Sequence, residues 1–447
     1  MTGAGAPRQA TGLGGRIAAL FLVRVVALVA GFFATVAGAR LLGTEAMGAV
    51  GQAMTVASIS AMLANLGLNI AAIYALQRDP ADAERTVARL MGLGVVTGVA
   101  AVVIAALAIL ATVFVPALRP QILITAVPMA VSILIFELAG SLLLGLDRQA
   151  SYVRATLLEG VGSLAFTLLI LFAVAGTADG FMAAAILGYL LGAGYAFAVV
   201  RGRVGSLRAA WDGGFSRRVL AFGVRGQAGN IIQFMNLRLD LLLVPALLGL
   251  AAAGVYAIAV RVSETVLLAA TSAGSLLFPA VAGQADARST AVTEGIVRAT
   301  LLVVAGGAIT LSIIAAPLLS IAFGPAFESG AAAVRITAAA MLPLALFRLL
   351  AGDLKGRGRP GLVSIAALIA LAITIVGNVL LVPRLGIDGA ALTSLVAYGG
   401  AAAVLVVAYR LVTGGSLLRL VPTHRDALGI LRTGREIGER TLRRGAP

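Results

Sequence analysis

The sequence predicts an all-α integral membrane protein of about twelve transmembrane helices, arranged as two six-helix lobes around a central cleft. Three observations predict it: the length and number of its apolar runs, the sidedness of its cations, and an internal repeat. Of its 447 residues, 60% are hydrophobic and only 12% are charged, and its mean hydropathy is +1.04. A soluble domain is about 45–50% apolar and about 25% charged. The apolar excess is divided into separate runs, each long enough to cross about 30 Å of hydrocarbon.

In order, the runs cover about 17–42, 47–76, 87–115, 121–146, 152–175 and 180–200, then 217–247, 251–283, 291–323, 328–352, 361–383 and 387–412. Several exceed the length that a bilayer needs, which predicts tilt or extension into the interface. The first run continues from Arg16 to Leu42. That is too long for the 7–15-residue core of a cleavable signal peptide, so it is expected to be a helix of the protein.

Composition also excludes function classes. The chain has no cysteine, hence no disulfide framework and no thiolate metal site. Its one histidine, His424, lies in the tail, so no His-based metal site or proton relay is expected within the membrane. No cofactor is implied. No Walker A, HExxH or GxSxG pattern is present, and the Gly-rich stretches read as helix-packing surfaces or turns. The formal net charge is +15. The cations sit in short connections beside apolar helices, which indicates topology and anionic headgroups rather than nucleic acid. Almost every cation is Arg, and Lys355 is the sole lysine.

With the N-terminus in the cytoplasm, the cytoplasmic segments carry twenty-five of the 34 Lys and Arg, and the opposite connections carry three, Arg40, Arg119 and Arg384. The positive-inside rule then sets both ends in the cytoplasm of a multi-pass inner-membrane protein. One missed span would scramble this alternation. The expected organisation is a cytoplasmic N-terminus (1–16), an N-lobe (17–201), a cytoplasmic linker (202–216), a C-lobe (217–412) and a basic cytoplasmic tail (413–447). For the tail, an amphipathic helix on the inner leaflet and an irregular basic end both fit the sequence.

The halves resemble each other. Leu41-Leu42-Gly43 with Gly48 matches Leu247-Leu248-Gly249 with Gly254, and Asp179-Gly180 with Tyr189 matches Asp388-Gly389 with Tyr398, at offsets of 206 and 209. Six helices per half give both halves the same orientation, with a pseudo-two-fold axis along the membrane normal and a cleft between them. This is transporter architecture.

Ionisable residues at membrane depth cost roughly 2.5–3.5 kcal/mol and mark the bundle interior or water. The candidates are Arg24, Glu137, Glu159, Arg225, Arg238, Asp240, Arg261, Glu264, Arg335 and Arg348. Arg24 and Arg225 lie about 10 Å inside their helices and Arg261 near the middle of its run, too deep to snorkel. Arg348 lies closer to the cytoplasmic end. Arg261 and Glu264 are three apart and on one face, a spacing that allows mutual neutralisation. Arg238 and Asp240 are two apart, so each needs a partner elsewhere. Glu137 and Glu159 have three options open: Arg24, each other, or protonation.

Six Arg stand against four carboxylates. A cleft for organic cations needs the reverse, whereas guanidinium groups match phosphate through paired hydrogen bonds. The expected anion-binding residues are Arg24, Arg225, Arg261 and Arg348, with Gln227 and Asn230. The latter two begin a polar stripe completed by Gln233 and Asn236 at spacings of three. Asp240, Glu264, Glu137 and Glu159 are the expected coupling or charge-pairing groups. Pro128, Pro245, Pro279, Pro317 and Pro343 fall within predicted helices and are expected to kink them.

Several stretches resemble bacterial polysaccharide flippases of the multidrug/oligosaccharidyl-lipid/polysaccharide exporter superfamily. They are Gly38-Ala-Arg40-Leu-Leu-Gly43-Thr-Glu-Ala-Met-Gly48, Asn65-Leu-Gly67-Leu68, Arg238-Leu-Asp240, Leu248-Gly249, Gly254-Val-Tyr256, Arg261-Val-Ser-Glu264 with Pro279, and Gly386-Ile-Asp388-Gly389-Ala-Ala. The resemblance spans about 17–412. It implies two six-helix lobes around a cationic cleft, no ATPase, and transfer of an undecaprenyl-diphosphate-linked oligosaccharide from the inner to the outer leaflet. The implied partners are that lipid-linked glycan, membrane lipids and glycan-assembly enzymes. Two alternatives are a drug or cation antiporter of the same superfamily and a flippase of the peptidoglycan lipid precursor. The latter relatives usually have two additional helices, which this chain lacks. A membrane glycosyltransferase or polymerase would need extramembrane regions larger than these connections provide.

Overall fold

The computed structural model describes residues 10–112, 123–173, 176–281, 287–414, 416–423 and 426. Among the described residues every regular element is helical. The helices are α1 (Ala10–Asn65), α2 (Leu68–Arg78), α3 (Ala83–Thr112), α4 (Ala126–Gly145), α5 (Gln149–Ala173), α6 (Ala178–Val204) and α7 (Gly213–Arg238). They continue with α8 (Asp240–Leu248), α9 (Leu250–Glu264), α10 (Leu268–Val281), α11 (Ala287–Leu318), α12 (Ala331–Gly356) and α13 (Pro360–Thr413).

Ten segments among the described residues are long and apolar enough to cross a membrane. The first and last of them each contain two crossings, so the twelve expected spans are present. α1 has 56 residues and α13 has 54. At 1.5 Å per residue each is about 80 Å of helix, far more than one bilayer crossing. Each is interrupted once, α1 at Gly43 (φ 78°, ψ −177°) and α13 at Gly386 (φ 60°, ψ −141°). Gly249, between α8 and α9, has φ 85° and ψ 173°. Gly43 and Gly249 occupy equivalent places in the repeat and share a backbone conformation essentially open to glycine alone. The repeat is thus written in the backbone as well as in the residues.

Several helices are interrupted where the sequence predicts one run. The second run breaks at Leu66–Gly67, both at positive φ. The seventh breaks at Leu239, and the eighth at a 3-10 turn over Thr265–Leu267. Pro128 lies in the first turn of α4, where its missing N–H costs nothing, so it kinks no helix. Pro317 does perturb its helix: α11 gives way to a π turn at Leu319–Phe323.

Many large apolar side chains point outwards, among them Val99, Leu107, Phe172 and Ile313 at 59–72% exposure. In water this surface would drive aggregation; in hydrocarbon it is the matched solvent. The chain divides into two compact units, Met1–Ile231 and Ile232–Pro447. The division falls inside α7, beyond the 202–216 connection at which the sequence divides.

In the first unit, α5 and α6 approach through small residues. A Cβ at Gly188 would collide with Ser163, and one at Gly192 would meet the Ala155 carbonyl and the Phe136 ring. Close backbone approach of this kind holds membrane helices together where lipid removes the hydrophobic drive. The connection after α6 is pinned to α3: the Ala210 amide donates to the Ala88 carbonyl at 2.8 Å, and Arg89 pairs with Asp212 at 3.2 Å.

The second unit has its own core, with Met341, Leu344, Phe347, Ala370, Ala397 and Leu405 buried together. At the end of α12 Arg357 pairs with Asp353 at 2.7 Å, both side chains nearly sealed from solvent. Thr293 donates to the same carboxylate at 2.7 Å. Sequence reading treats Arg357 as a loop cation; the structure makes it a buried tie between α11 and α12. Arg298 holds the start of the tail, donating to Asp426 at 3.0 Å and to the Arg419 carbonyl at 2.7 Å. The remainder of the tail lies outside the described residues, and so do residues 1–9.

Replacing Gly43 or Gly249 by Ala is expected to destabilise the protein by about 1–3 kcal/mol each, because neither backbone conformation suits a side chain. Gly306→Ala, in mid-helix and with open space around it, is expected to be neutral or stabilising by up to about 1 kcal/mol. Unfolding in detergent, followed by circular dichroism, checks the contrast.

Candidate functional site

In the second unit the break at Leu239 puts Asp240 at the start of α8, and it is 2% exposed. One oxygen accepts the Leu241 amide at 2.8 Å. The other accepts the Tyr256 hydroxyl at 2.6 Å and the Ser394 hydroxyl at 3.4 Å. The carboxyl therefore ties α8, α9 and α13 together through neutral donors. Nearby in sequence, Asn236 accepts from Thr374 at 2.6 Å. Asn378 is fully buried; its side-chain amide donates to the Thr374 carbonyl at 2.8 Å, and its Oδ1 has no hydrogen-bond partner among the described residues.

Glu264 has an ion-pair partner two helices away in sequence, beyond its own helix. It pairs with Arg238 at 3.2 Å, and the Arg238 guanidinium lies 5.9 Å from the Phe234 ring. α9 ends at Glu264, and the last turn of α7 brings Arg238 to that end. Arg261 is exposed and engaged in interactions of its own. Arg348 donates to the Thr271 hydroxyl at 2.7 Å, bridging α12 and α10, and lies within electrostatic reach of both Glu264 and Arg238. Arg335 donates to the Ser312 carbonyl at 3.2 Å. Two of the deep cations thus bond to neutral acceptors, and among the described residues neither forms a salt bridge with a carboxylate.

In the first unit Asn65 donates to Glu137 at 2.6 Å, and its own carbonyl accepts the Asn69 amide at 3.3 Å across the helix break. Glu137 is therefore engaged by the Asn65 amide. Glu159 is half-buried and has a partner. Gln227 is buried and donates to the Met62 sulfur at 3.3 Å, while Asn230 donates to Gln227 at 3.2 Å. This part of the polar stripe serves contacts inside the unit. The backbone at Arg24 and Arg225 is helical, and their side chains lie outside the described residues. Among the described residues no three His, Cys, Asp or Glu gather as a metal site.

Sequence reasoning found the charges and missed their neutral partners. Tyr256, Ser394, Thr374 and Asn378 carry no charge to flag them. Tyr256 stood within the quoted Gly254-Val-Tyr256 stretch, the one available signal. Tyr256→Phe is expected to cost about 1–3 kcal/mol, the penalty for depriving a buried polar group of its donor. Detergent-titrated unfolding of wild type and variant measures it, and loss of less than a few tenths of a kcal/mol would mean that Asp240 does not depend on this bond.

The fold has solved counterparts. The chain is similar to a multidrug resistance MATE family transporter of the MOP superfamily in its inward-facing conformation, with TM-score 0.71 and 12% identity, over 87% of this chain and 94% of that one. It is similar to the lipid II flippase MurJ in an inward closed conformation, with TM-score 0.69 and 12% identity, over 88% of this chain and 87% of that one. A third is a MOP superfamily transporter from Pyrococcus furiosus described as having a binding pocket of reverse polarity, with TM-score 0.65 and 14% identity, over 89% and 95%. At such identities the likeness is one of fold. No curated protein matches the chain. The family model described as "Polysaccharide biosynthesis protein" matches residues 14–283, and this multi-pass membrane chain, built on the fold of the superfamily's transporters, belongs to that family.

Proposed function

We propose that the protein is a flippase that moves a polyprenyl-diphosphate-linked oligosaccharide from the inner to the outer leaflet of the bacterial cytoplasmic membrane by alternating access, without chemistry of its own. The observation that carries the proposal is the excess of Arg over carboxylates at membrane depth, six against four, together with the neutral partner of Arg348. An anionic headgroup has cations to meet; an organic cation does not. Membership in a polysaccharide biosynthesis family supports a glycan as the cargo.

In this reading the residues that meet the anionic headgroup are Arg261 and Arg348 of the second unit and Arg24 and Arg225 of the first, where Gln227 and Asn230 add polar groups. Arg238 is held by Glu264 and positions that part of the second unit. Asp240, sealed among neutral donors, is the candidate for ion or proton coupling; Glu137 and Glu159 are the carboxylates of the first unit that could share that role. Both chain ends lie in the cytoplasm, in accord with the loop cations. A drug or cation antiporter is the second reading, supported by the fold of the multidrug relatives and opposed by the excess of Arg over carboxylates at membrane depth.

Arg261→Ala with Arg348→Ala is expected to abolish surface glycan in cells that depend on this protein, while membrane insertion stays normal. Surface glycan is read by gel electrophoresis of cell-envelope extracts, and insertion by immunoblotting of membranes. Wild-type export would overturn the site assignment. Unchanged glycan with raised drug susceptibility in a deletion strain would favour the antiporter.

A further inference from the structure

The connection between α6 and α7 carries a second set of cations, separate from the Arg at membrane depth. α6 ends at Val204 and α7 begins at Gly213, so eight residues join two helices leaving the membrane on the same side. Short as it is, the connection is held in place. The Ala210 amide bonds to Ala88 on α3 at 2.8 Å, and a Cβ at Gly92 would collide with the Ala210 carbonyl. Arg89 pairs with Asp212 at 3.2 Å and lies 5.5 Å from the Phe215 ring. Asp212 accepts the Phe215 amide at 2.9 Å. That bond first, and Arg89 after it, hold the Asp212 carboxyl below its ordinary titration range.

Trp211 sits between Ala210 and Asp212, two positions fixed by these bonds, yet it is 64% exposed. Its neighbours Phe215 and Val204 are buried. Around it Arg201, Arg203, Arg208, Arg217 and Arg218 are all exposed. Asp212 is the sole acidic residue between Asp179 and Asp240, and it is already engaged by Arg89 and the Phe215 amide. Within this stretch five exposed Arg thus stand against one carboxylate.

We infer that this connection is a docking site for the anionic phospholipid headgroups of the inner leaflet. The inference rests on the cytoplasmic assignment of the connection and not on the identity of the cargo. Guanidinium groups bind phosphate through paired hydrogen bonds. An indole is most stable at the headgroup level, its ring against acyl chains and its N–H in the polar layer. Two helices leave the bilayer beside the patch, so the Arg lie within a screening length of about 8–10 Å from the lipid phosphates. Charge, aromatic and position thus match one occupant. The pinning of the loop to α3 presents the Arg and Trp211 without an ordering cost at the moment of binding.

Trp211 is the only tryptophan in the chain, so its emission reports this site directly. The full-length protein is reconstituted in bilayers of phosphatidylcholine and phosphatidylglycerol, with one lipid or the other brominated near the headgroup end of its chains. Brominated phosphatidylglycerol is expected to quench Trp211 as though enriched about fivefold or more over bulk, which is what one cation near an anionic surface contributes. The variant Arg203→Gln/Arg208→Gln/Arg217→Gln is expected to bring the two lipids to equal quenching. If that variant fails to fold, about 1 M salt, which shortens screening to about 3 Å, is expected to remove the preference from the wild type. Equal quenching by both lipids in the wild type at low salt, no quenching at all, or a preference that survives both the variant and the salt would overturn the inference.

Discussion

A hydrocarbon layer about 30 Å thick is the constraint on which this structure depends. It limits a helix to about twenty residues before the chain must reverse, and it leaves no water to satisfy a stray polar group. The reversals inside the two longest helical runs are made by Gly43 and Gly386, each at positive φ. Gly249 makes the corresponding break in the second unit with the backbone conformation of Gly43. The same layer explains the outward Val, Leu, Ile and Phe, and the cations gathered in one set of connections.

Those remaining charges divide into two kinds. Arg238 with Glu264, and Arg357 with Asp353, are closed pairs that tie helices together. Asp240 and Arg348 are bonded instead to uncharged groups, Tyr256 and Thr271. A closed pair stabilises a geometry, and in the sealed Arg357–Asp353 pair removing one partner leaves a buried charge with its desolvation cost unmet. A charge with only neutral partners retains a field that a ligand of opposite sign can use. The second kind therefore carries the proposed binding and coupling, while the first kind supplies the frame around it.

The sequence made the architecture legible because its signals are redundant. Apolar run length, loop charge and the Gly43/Gly249 repeat each constrain the same twelve spans. Breaks inside runs were not legible. Leu66 looks like an ordinary apolar helix residue, and only tertiary context turns its backbone to positive φ. The site was half legible. A charge at membrane depth is rare, so Asp240, Glu264 and Arg348 stood out; but helical spacing says nothing of partners on other helices, and it gave no hint that Arg238 pairs with Glu264. Tyr256, Ser394 and Thr374 were hidden by being ordinary. Pro128 misled for a positional reason: in the first helical turn, proline has no bond to break.

The central claim is that the protein moves a lipid whose headgroup is a diphosphate bearing a glycan. It is tested most directly with purified protein in liposomes, by scoring the appearance in the opposite leaflet of a polyprenyl-diphosphate-linked oligosaccharide labelled on its sugar. The account predicts protein-dependent movement of this lipid, competed by other polyprenyl-diphosphate glycans and not by lipophilic organic cations. Protein that moves organic cations across the same membrane, and leaves the labelled glycolipid where it was placed, would contradict it.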